Sequence, residues 1–417
     1  MTFGMVVDSI PPFWYAMDMV IDRVYAQIVR RHLENERQMV FVSGPRQVGK
    51  TTLCEAFQTL SLNWDIGAER EIILKGEQAV AEAAGVSEAR HALPVLTLDE
   101  LHHYPSWKRF LKGLFDAYWK RMRILVTGSA RLNVYKRGGD SLMGRYFPYR
   151  MHPLSVGEIL HPILNGEELF REPKDIGDER WQRLLDYGGF PEPYSRGDRF
   201  FSGRWRRLRF EQLMREDIRK DTSIRELDQM ETFAKILGER SGEQLIYASL
   251  GREINVSEVT ARNWVSTLVS FFFGFRVFPW SKHLANAIRK TPKWYLRDWS
   301  GIKDAGKRNE TFVACHLLKA VEFWTDLGFG EYDLYYVRTK WKQEVDFLVT
   351  KDGAPWFLAE VKTADRQLSQ TLSDMQKTLK VPHAFQIVMD MPFVETDLFS
   401  YEDPVVVPAR TFLAQLP

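Results

Sequence analysis

The chain has 417 residues, enough for two or three domains that each bury a core of their own. With 45% hydrophobic residues, 13 Trp and 27 Phe, it is not an intrinsically disordered chain, and a formal charge of +2 supplies no bulk attraction for nucleic acid or acidic partners. Cys54 and Cys315 stand far apart in no metal-type spacing, which fits a reducing, cytoplasmic compartment, and no apolar run reaches the roughly 18 residues of a membrane helix, so no membrane partner is expected.

Residues 1–22 read as an amino-terminal extension without the basic start of a secretory signal, and Met17 and Met19 are alternative starts. From 23 to 155 short apolar runs alternate with helical stretches. "QMVFVSG", "PVLTLDE" and "RILVTGS" are rich in Val, Leu and Ile and bounded by turn residues, as buried parallel strands are, and "LNWDIG" is a weaker fourth. This predicts an α/β fold, a parallel sheet with helices on both faces. Residues 156–231 turn helical, with "DYGGFPEPYSRG" read as a loop. Residues 232–300 show three short helical patterns and two strand-like runs. In 301–417 a helix precedes the alternating runs "YDLYYVRT", "EVDFLVT" and "WFLAEVKT", followed by a helix and "AFQIVMD".

After the first strand, "GPRQVGKT" has the spacing of a phosphate loop: Gly44, Pro45, Arg46, Gln47, Val48, Gly49, Lys50 and Thr51, with Thr52 supporting the turn. Glycines let the loop curl so that backbone N–H groups and the following helix end point at an anion. Lys50 is expected on the β and γ phosphates of ATP and the Thr51 hydroxyl on Mg2+. "PVLTLDE" ends on Asp99, for the Mg2+ shell, and Glu100, to polarise the attacking water; a solvated turn is the alternative. "RILVTGS" ends in Thr127 and Ser129, and a hydroxyl there could sense the γ phosphate from a strand beside the acidic one.

The runs "VFVSGPRQVGKTTL", "LTLDELHHYPSWKRFLKGLFD", "ILVTGSARL" and "SLMGRYFPYRMHPLSVGEIL", in that order, resemble the AAA+ ATPases that carry a restriction-endonuclease-like domain at the carboxyl end. The resemblance covers nearly the whole chain after about residue 20. It implies a P-loop ATPase core at 23–155, a helical lid or linker at 156–231, a winged helix at 232–300 and an α/β domain of PD-(D/E)XK nuclease fold at 301–417. It also implies nucleotide binding by Lys50 and Thr51, an acidic pair Asp99 and Glu100, and Ser129 at the sensor position. Arg145 matches an arginine that reaches a neighbouring subunit's nucleotide, which implies a homo-oligomer, a ring among its forms; a helix-end or surface arginine is the alternative.

"LIYASLGREINVSEVTARNWVSTLVS" reads as helix, turn, helix. Asn255 or Ser257 can cap the second helix, and Val259, Trp264, Val265 and Leu268 form its expected buried stripe. Thr260, Arg262 and Asn263 then face outward as DNA contacts, and "RVFPWSKHLANAIRKTPKWYLRD" could form a basic β wing; a protein-binding winged helix is the alternative. Further on, "EVDFLVTKDGAPWFLAEVK" sets Asp346 on one strand and Glu360 and Lys362 on the same face of the next, since side chains repeat every two residues. Two carboxylates and a lysine are what a metal-dependent nuclease needs. Glu344 shares a face with Asp346, and Glu310 matches the family's helical acid. The histidines of "LHHY" are expected to lack partners for a metal.

The expected function is a Mg2+-dependent ATPase that binds nucleic acid, with DNA the expected form, and couples ATP hydrolysis to its carboxyl-terminal half. Two alternatives remain open: an ATP-gated protein-interaction switch with an inactive nuclease-like domain, and an ATP-regulated nuclease.

Overall fold

The structure, a computed structural model, describes residues 21–86, 92–128, 142–163, 169–219, 222, 224, 226–281 and 291–417. Five parallel strands make the first sheet: β1 (Met39–Ser43), β2 (Leu60–Asn63), β3 (Val95–Asp99), β4 (Arg123–Gly128) and β5 (Tyr146–Arg150), in the spatial order β2-β3-β4-β1-β5. The helices around it are α1 (Val24–Asn35), α2 (Lys50–Glu55), α3 (Gly67–Leu74), α4 (Glu77–Ala83) and α5 (Trp107–Tyr118). β4 lies between β1 and β3, so the strand beside the acidic pair is the one expected there. β5 was not among the expected strands.

Alternation divides the sheet between two cores. Phe41, Leu96, Leu98, Ile124 and Val126 point to one face, where α5 meets them with Trp107, Phe110, Leu111, Leu114 and Phe115. That spacing of three and four residues is one helical stripe, and each fully buried Leu or Phe contributes about 1.5–3 kcal/mol of transfer free energy. Val40, Val42 and Leu125 point the other way, into a larger core that runs without a break into the carboxyl-terminal half.

The middle of the chain is helical: α6 (Val156–Leu160), α7 (Asp178–Tyr187), α8 (Pro191–Arg196), α9 (Arg199–Gln212), a π-helical turn (Leu213–Ile218), α10 (Leu227–Glu239), α11 (Tyr247–Glu253) and α12 (Glu258–Ser270). Within "DYGGFPEPYSRG" the expected loop gives way to α8, whose Pro191 occupies the first helical position, where a missing N–H costs nothing. In α12, Ser257 provides the cap, accepting from the Thr260 N–H. The buried stripe is Ala261, Trp264, Val265 and Leu268. Val259 is not part of it: it is 67% exposed, because its place in the first turn faces away from α10 and α11.

The second sheet has seven strands: β6 (Gly274–Pro279), β7 (Lys293–Leu296), β8 (Tyr332–Arg338), β9 (Glu344–Lys351), β10 (Ala354–Lys362), β11 (His383–Val388) and β12 (Val405–Pro408), in the order β12-β11-β10-β9-β8-β6-β7. The β6–β7 pair after α12 joins this sheet through β8, with Phe278 opposite Tyr335. Three helices complete the chain: α13 (Ala305–Asp326), α14 (Gln370–Leu379) and α15 (Ala409–Ala414). α13 is buried on several sides and packs against β5 of the first sheet and β7 to β10 of the second. Nearby, α6 is pressed so closely on the chain end that a Cβ on Gly157 would stand 1.7 Å from the Leu416 carbonyl oxygen. Among the described residues no helix is long and apolar enough to cross a membrane.

Candidate functional site

β1 ends at Ser43 and the chain turns through Gly44 to Gly49 before Lys50 opens α2. Gln47 and Gly49 take positive φ, 63° and 99°, which suits glycine at the second of them. A Cβ on Gly44 would meet the Met151 carbonyl oxygen at 2.3 Å, so the start of the loop also requires glycine. The buried Lys50 ammonium donates to the carbonyl oxygens of Gly44 (3.0 Å) and Pro45 (2.9 Å). Burial pulls its pKa down to about 8, opposed by Glu100 and Asp99.

Asp99, buried at the tip of β3, is the convergence point. One of its oxygens accepts from the Thr51 hydroxyl (3.2 Å) and the Asn63 amide (3.4 Å), the other from the Thr127 hydroxyl and the Glu100 N–H (3.1 Å). Glu100 sits in the left-handed region at φ 50°, and burial raises its pKa. A threonine hydroxyl beside a strand-end carboxylate is a hard-oxygen pair of the kind that suits Mg2+, so these residues fit the ion expected with a nucleotide. Thr52 is exposed, and Ser129 lies outside the described residues.

Residues 36–160 match the family model described as an AAA domain, and residues 178–305 and 305–398 match two described as domains of unknown function (DUF8612 and DUF4143). The stretch that is similar to AAA domains is the one that holds the first sheet and its glycine-bounded loop. Uncharacterized proteins of Mycobacterium bovis and Mycobacterium tuberculosis are each 24% identical to this chain over 366 residues, spanning 85% of it and 77% of their own length. Among solved structures, AMPPCP-bound DnaA from Aquifex aeolicus aligns with 60% of this chain and 88% of its own at 14% identity and a TM-score of 0.30. PCH-2 of C. elegans aligns with 59% of this chain and 66% of its own at 13% identity and a TM-score of 0.25.

The first sheet and its loop are tied to the rest of the chain by charges that do not stand out in the sequence. Arg46 of the phosphate loop pairs with Asp217 of the π-helical turn at 2.6 Å. Arg23 donates to the Val48 carbonyl of the loop (2.7 Å), to the His152 carbonyl (2.5 Å) and to Glu158 (2.7 Å). Glu158 in turn accepts from Lys319 of α13, which also donates to the Ser155 hydroxyl at 2.8 Å. Burial alone would raise the Glu158 pKa, but Arg23 and Lys319 hold it down to about 2. Arg145 lies at the start of β5, next to the beginning of β1 and thus at the opposite strand end from the phosphate loop, and forms a two-bonded pair with Asp116 at 2.7 and 2.9 Å.

The turn after β3 departs from expectation. Ligand atoms of Glu100, His102 and His103 lie within 4.8 Å of one another, because a short 3-10 turn folds the two rings back toward the carboxylate. A metal there would occupy Glu100, the residue expected to orient water.

In the second sheet, α13, β9 and β10 bring Glu310, Glu344, Asp346, Glu360 and Lys362 into one cluster. Asp346 accepts from the Val361 N–H at 2.9 Å, and Lys362 pairs with Glu360 at 2.7 Å. Burial and Glu310 push the Asp346 carboxyl up to about 7. Lys293 of β7, which the sequence reading did not single out, lies in their midst: its ammonium is 2.6 Å from Glu344, 3.1 Å from Glu310 and 3.6 Å from Asp346. A divalent ion bridging Glu310 and Asp346 needs oxygens at about 2.1–2.5 Å, in space this ammonium fills, so those two acids do not fit a metal between them.

The outward residues of α12 are partly engaged. Arg262 donates to Glu258 at 2.9 Å and stacks 4.4 Å over the Tyr247 ring; Asn263 is exposed and Thr260 half-buried. Much of the expected wing, residues 282–290, lies outside the described residues. A stronger basic face belongs to α9, where Arg199, Arg204 and Arg207 are exposed beside Phe200, itself 83% exposed. Its signal was in the sequence as "RFFSGRWRRLRF", an arginine-rich helical run interleaved with aromatics.

Proposed function

We propose that this chain is a Mg2+-dependent ATPase that binds nucleic acid, DNA being the form expected, and that its nucleotide cycle is felt in the carboxyl-terminal half. The observation that carries the hydrolytic part is the convergence of Thr51, Thr127 and the Glu100 N–H on Asp99, next to a lysine parked on the loop's own carbonyls. Lys50 would exchange those carbonyls for phosphate oxygens, and Thr51 and Asp99 would hold the cation. When bound, Mg2+ neutralises charge on the β and γ phosphates. Glu100, ionised above its raised pKa, accepts a hydrogen bond from the attacking water.

The arginine face of α9 supports the nucleic-acid part, with Arg262 and Asn263 as a second contact, since guanidinium groups and an exposed ring suit phosphate and base. A homo-oligomer belongs to the same proposal: Arg145 is remote from its own phosphate loop and would serve a neighbour's nucleotide. The two free cysteines support a cytoplasmic setting.

The test is ATP turnover by wild type and Lys50→Ala, alone and with duplex, branched or single-stranded DNA. Turnover absent in Lys50→Ala and stimulated by one DNA form is the expected result. If no DNA form binds even at low salt, where phosphate contacts are strongest, the nucleic-acid part is wrong. The lysine within the carboxylate cluster favours a second reading, an ATP-gated protein-interaction switch whose nuclease-like domain does not cut.

A further inference from the structure

The carboxylate cluster of the second sheet is built from three elements. Glu310 comes from α13, Glu344 and Asp346 from β9, and Glu360 from β10. Such a set, half-buried or buried, needs positive charge close by. The chain supplies it from β7. Lys293 is 5% exposed and its ammonium touches Glu344 and Glu310 directly, with Asp346 slightly farther away.

The direction of that side chain is set by backbone on both sides of the strand. Lys293 pairs with Val277 of β6 in the antiparallel ladder and bridges to Gln244 on its other side. Leu245 donates to the Pro292 carbonyl at 2.8 Å, and Trp294 donates to the Glu243 carbonyl at 2.9 Å. Two residues on, Tyr295 points to the same face and donates to the same Glu310 oxygen at 2.6 Å. That oxygen is therefore taken by an ammonium and a phenol together. One Asp346 oxygen is held by the Val361 N–H, and one Glu360 oxygen by Lys362. The second Glu360 oxygen is buried without a hydrogen-bond partner, and the second Asp346 oxygen faces the Lys293 ammonium at 3.6 Å, so an ion beside Asp346 would lie against a fixed positive charge.

We propose that Lys293 is the resident cation of this cluster: its tethered ammonium takes the place of the divalent ion that the acids would otherwise recruit, and keeps the domain from assembling a metal-dependent phosphodiester-cleaving centre. Glu310 and Glu344 are then counter-ions that fix β7 to α13 and β9. The inference deepens the second reading above and is independent of ATP hydrolysis, so a failure of one leaves the other standing.

The test is Mn2+ binding to the nucleotide-free full chain, followed by electron paramagnetic resonance, with Asp346→Asn as the reference that leaves the phosphate loop untouched. Wild type and Asp346→Asn should bind Mn2+ alike. Lys293→Ala, or Lys293→Gln where the alanine variant does not fold, should gain a site at least tenfold tighter than any in wild type, and Asp346→Asn in the same chain should abolish the gain. A tight wild-type site that Asp346→Asn removes would overturn the proposal, with no variant of Lys293 needed. So would a folded Lys293 variant that gains no Mn2+.

Discussion

Replacing Glu158 by Gln removes the negative charge that joins Arg23 and Lys319, two buried cations, one bonded to the phosphate loop and the other carried by α13. Taking away one partner of a buried ion pair costs about 3–5 kcal/mol, because the charges left behind stay desolvated. Proton linkage gives an independent figure. The carboxyl falls from its ordinary 4.5 to about 2 on folding, and at 1.36 kcal/mol for each pKa unit this is about 3 kcal/mol. Because the folded value is the lower one, the contribution is complete above pH 4.5 and disappears as pH falls through 2; near pH 3.5 linkage leaves about 2 kcal/mol. Urea unfolding of wild type and Glu158→Gln at pH 7 and pH 3.5 measures both quantities. A deficit below about 0.5 kcal/mol at pH 7 would refute the reasoning, and so would a deficit that does not narrow at the lower pH.

Gly157→Ala would force a methyl group against the Leu416 carbonyl and should lower stability by at least ~1–3 kcal/mol, seen as an earlier thermal transition. Trp264→Ala empties the centre of the α10–α12 cluster, where its ring meets Phe233 edge-on at 5.6 Å, and should cost about 3–5 kcal/mol in urea unfolding. Asp217→Asn releases Arg46 toward the loop's anion and should tighten fluorescent-nucleotide binding by up to roughly tenfold, or ~1.4 kcal/mol. Unchanged affinity would mean that the pair has no part in nucleotide binding.

What could be read from the sequence was whatever chemistry is local. β1, β3 and β4 are largely apolar runs, and the glycine-bounded loop and the acidic pair lie at the ends of two of them, so the strands and the place of the candidate site were legible. β5 was not, because "YFPYR" holds a proline and charged or exposed side chains; only its place at the sheet edge makes it a strand. Lys293 was hidden for another reason. It stands in a basic stretch that reads as a surface wing, and its partners Glu310, Glu344 and Asp346 become neighbours only after β7 has joined the sheet. Arg23, Glu158 and Lys319 are likewise scattered along the chain, and no spacing links them.

The shared helix α13 has a consequence for how the molecule is made. Val40 and Val42 face a core completed in part by α13, and Tyr25 of α1 meets Phe323 of that helix at 6.1 Å. During synthesis at about 5–20 residues per second, that face of the first sheet waits roughly 10–35 seconds for its cover to be made. The apolar face of the first sheet is therefore left open until the chain has been made as far as α13.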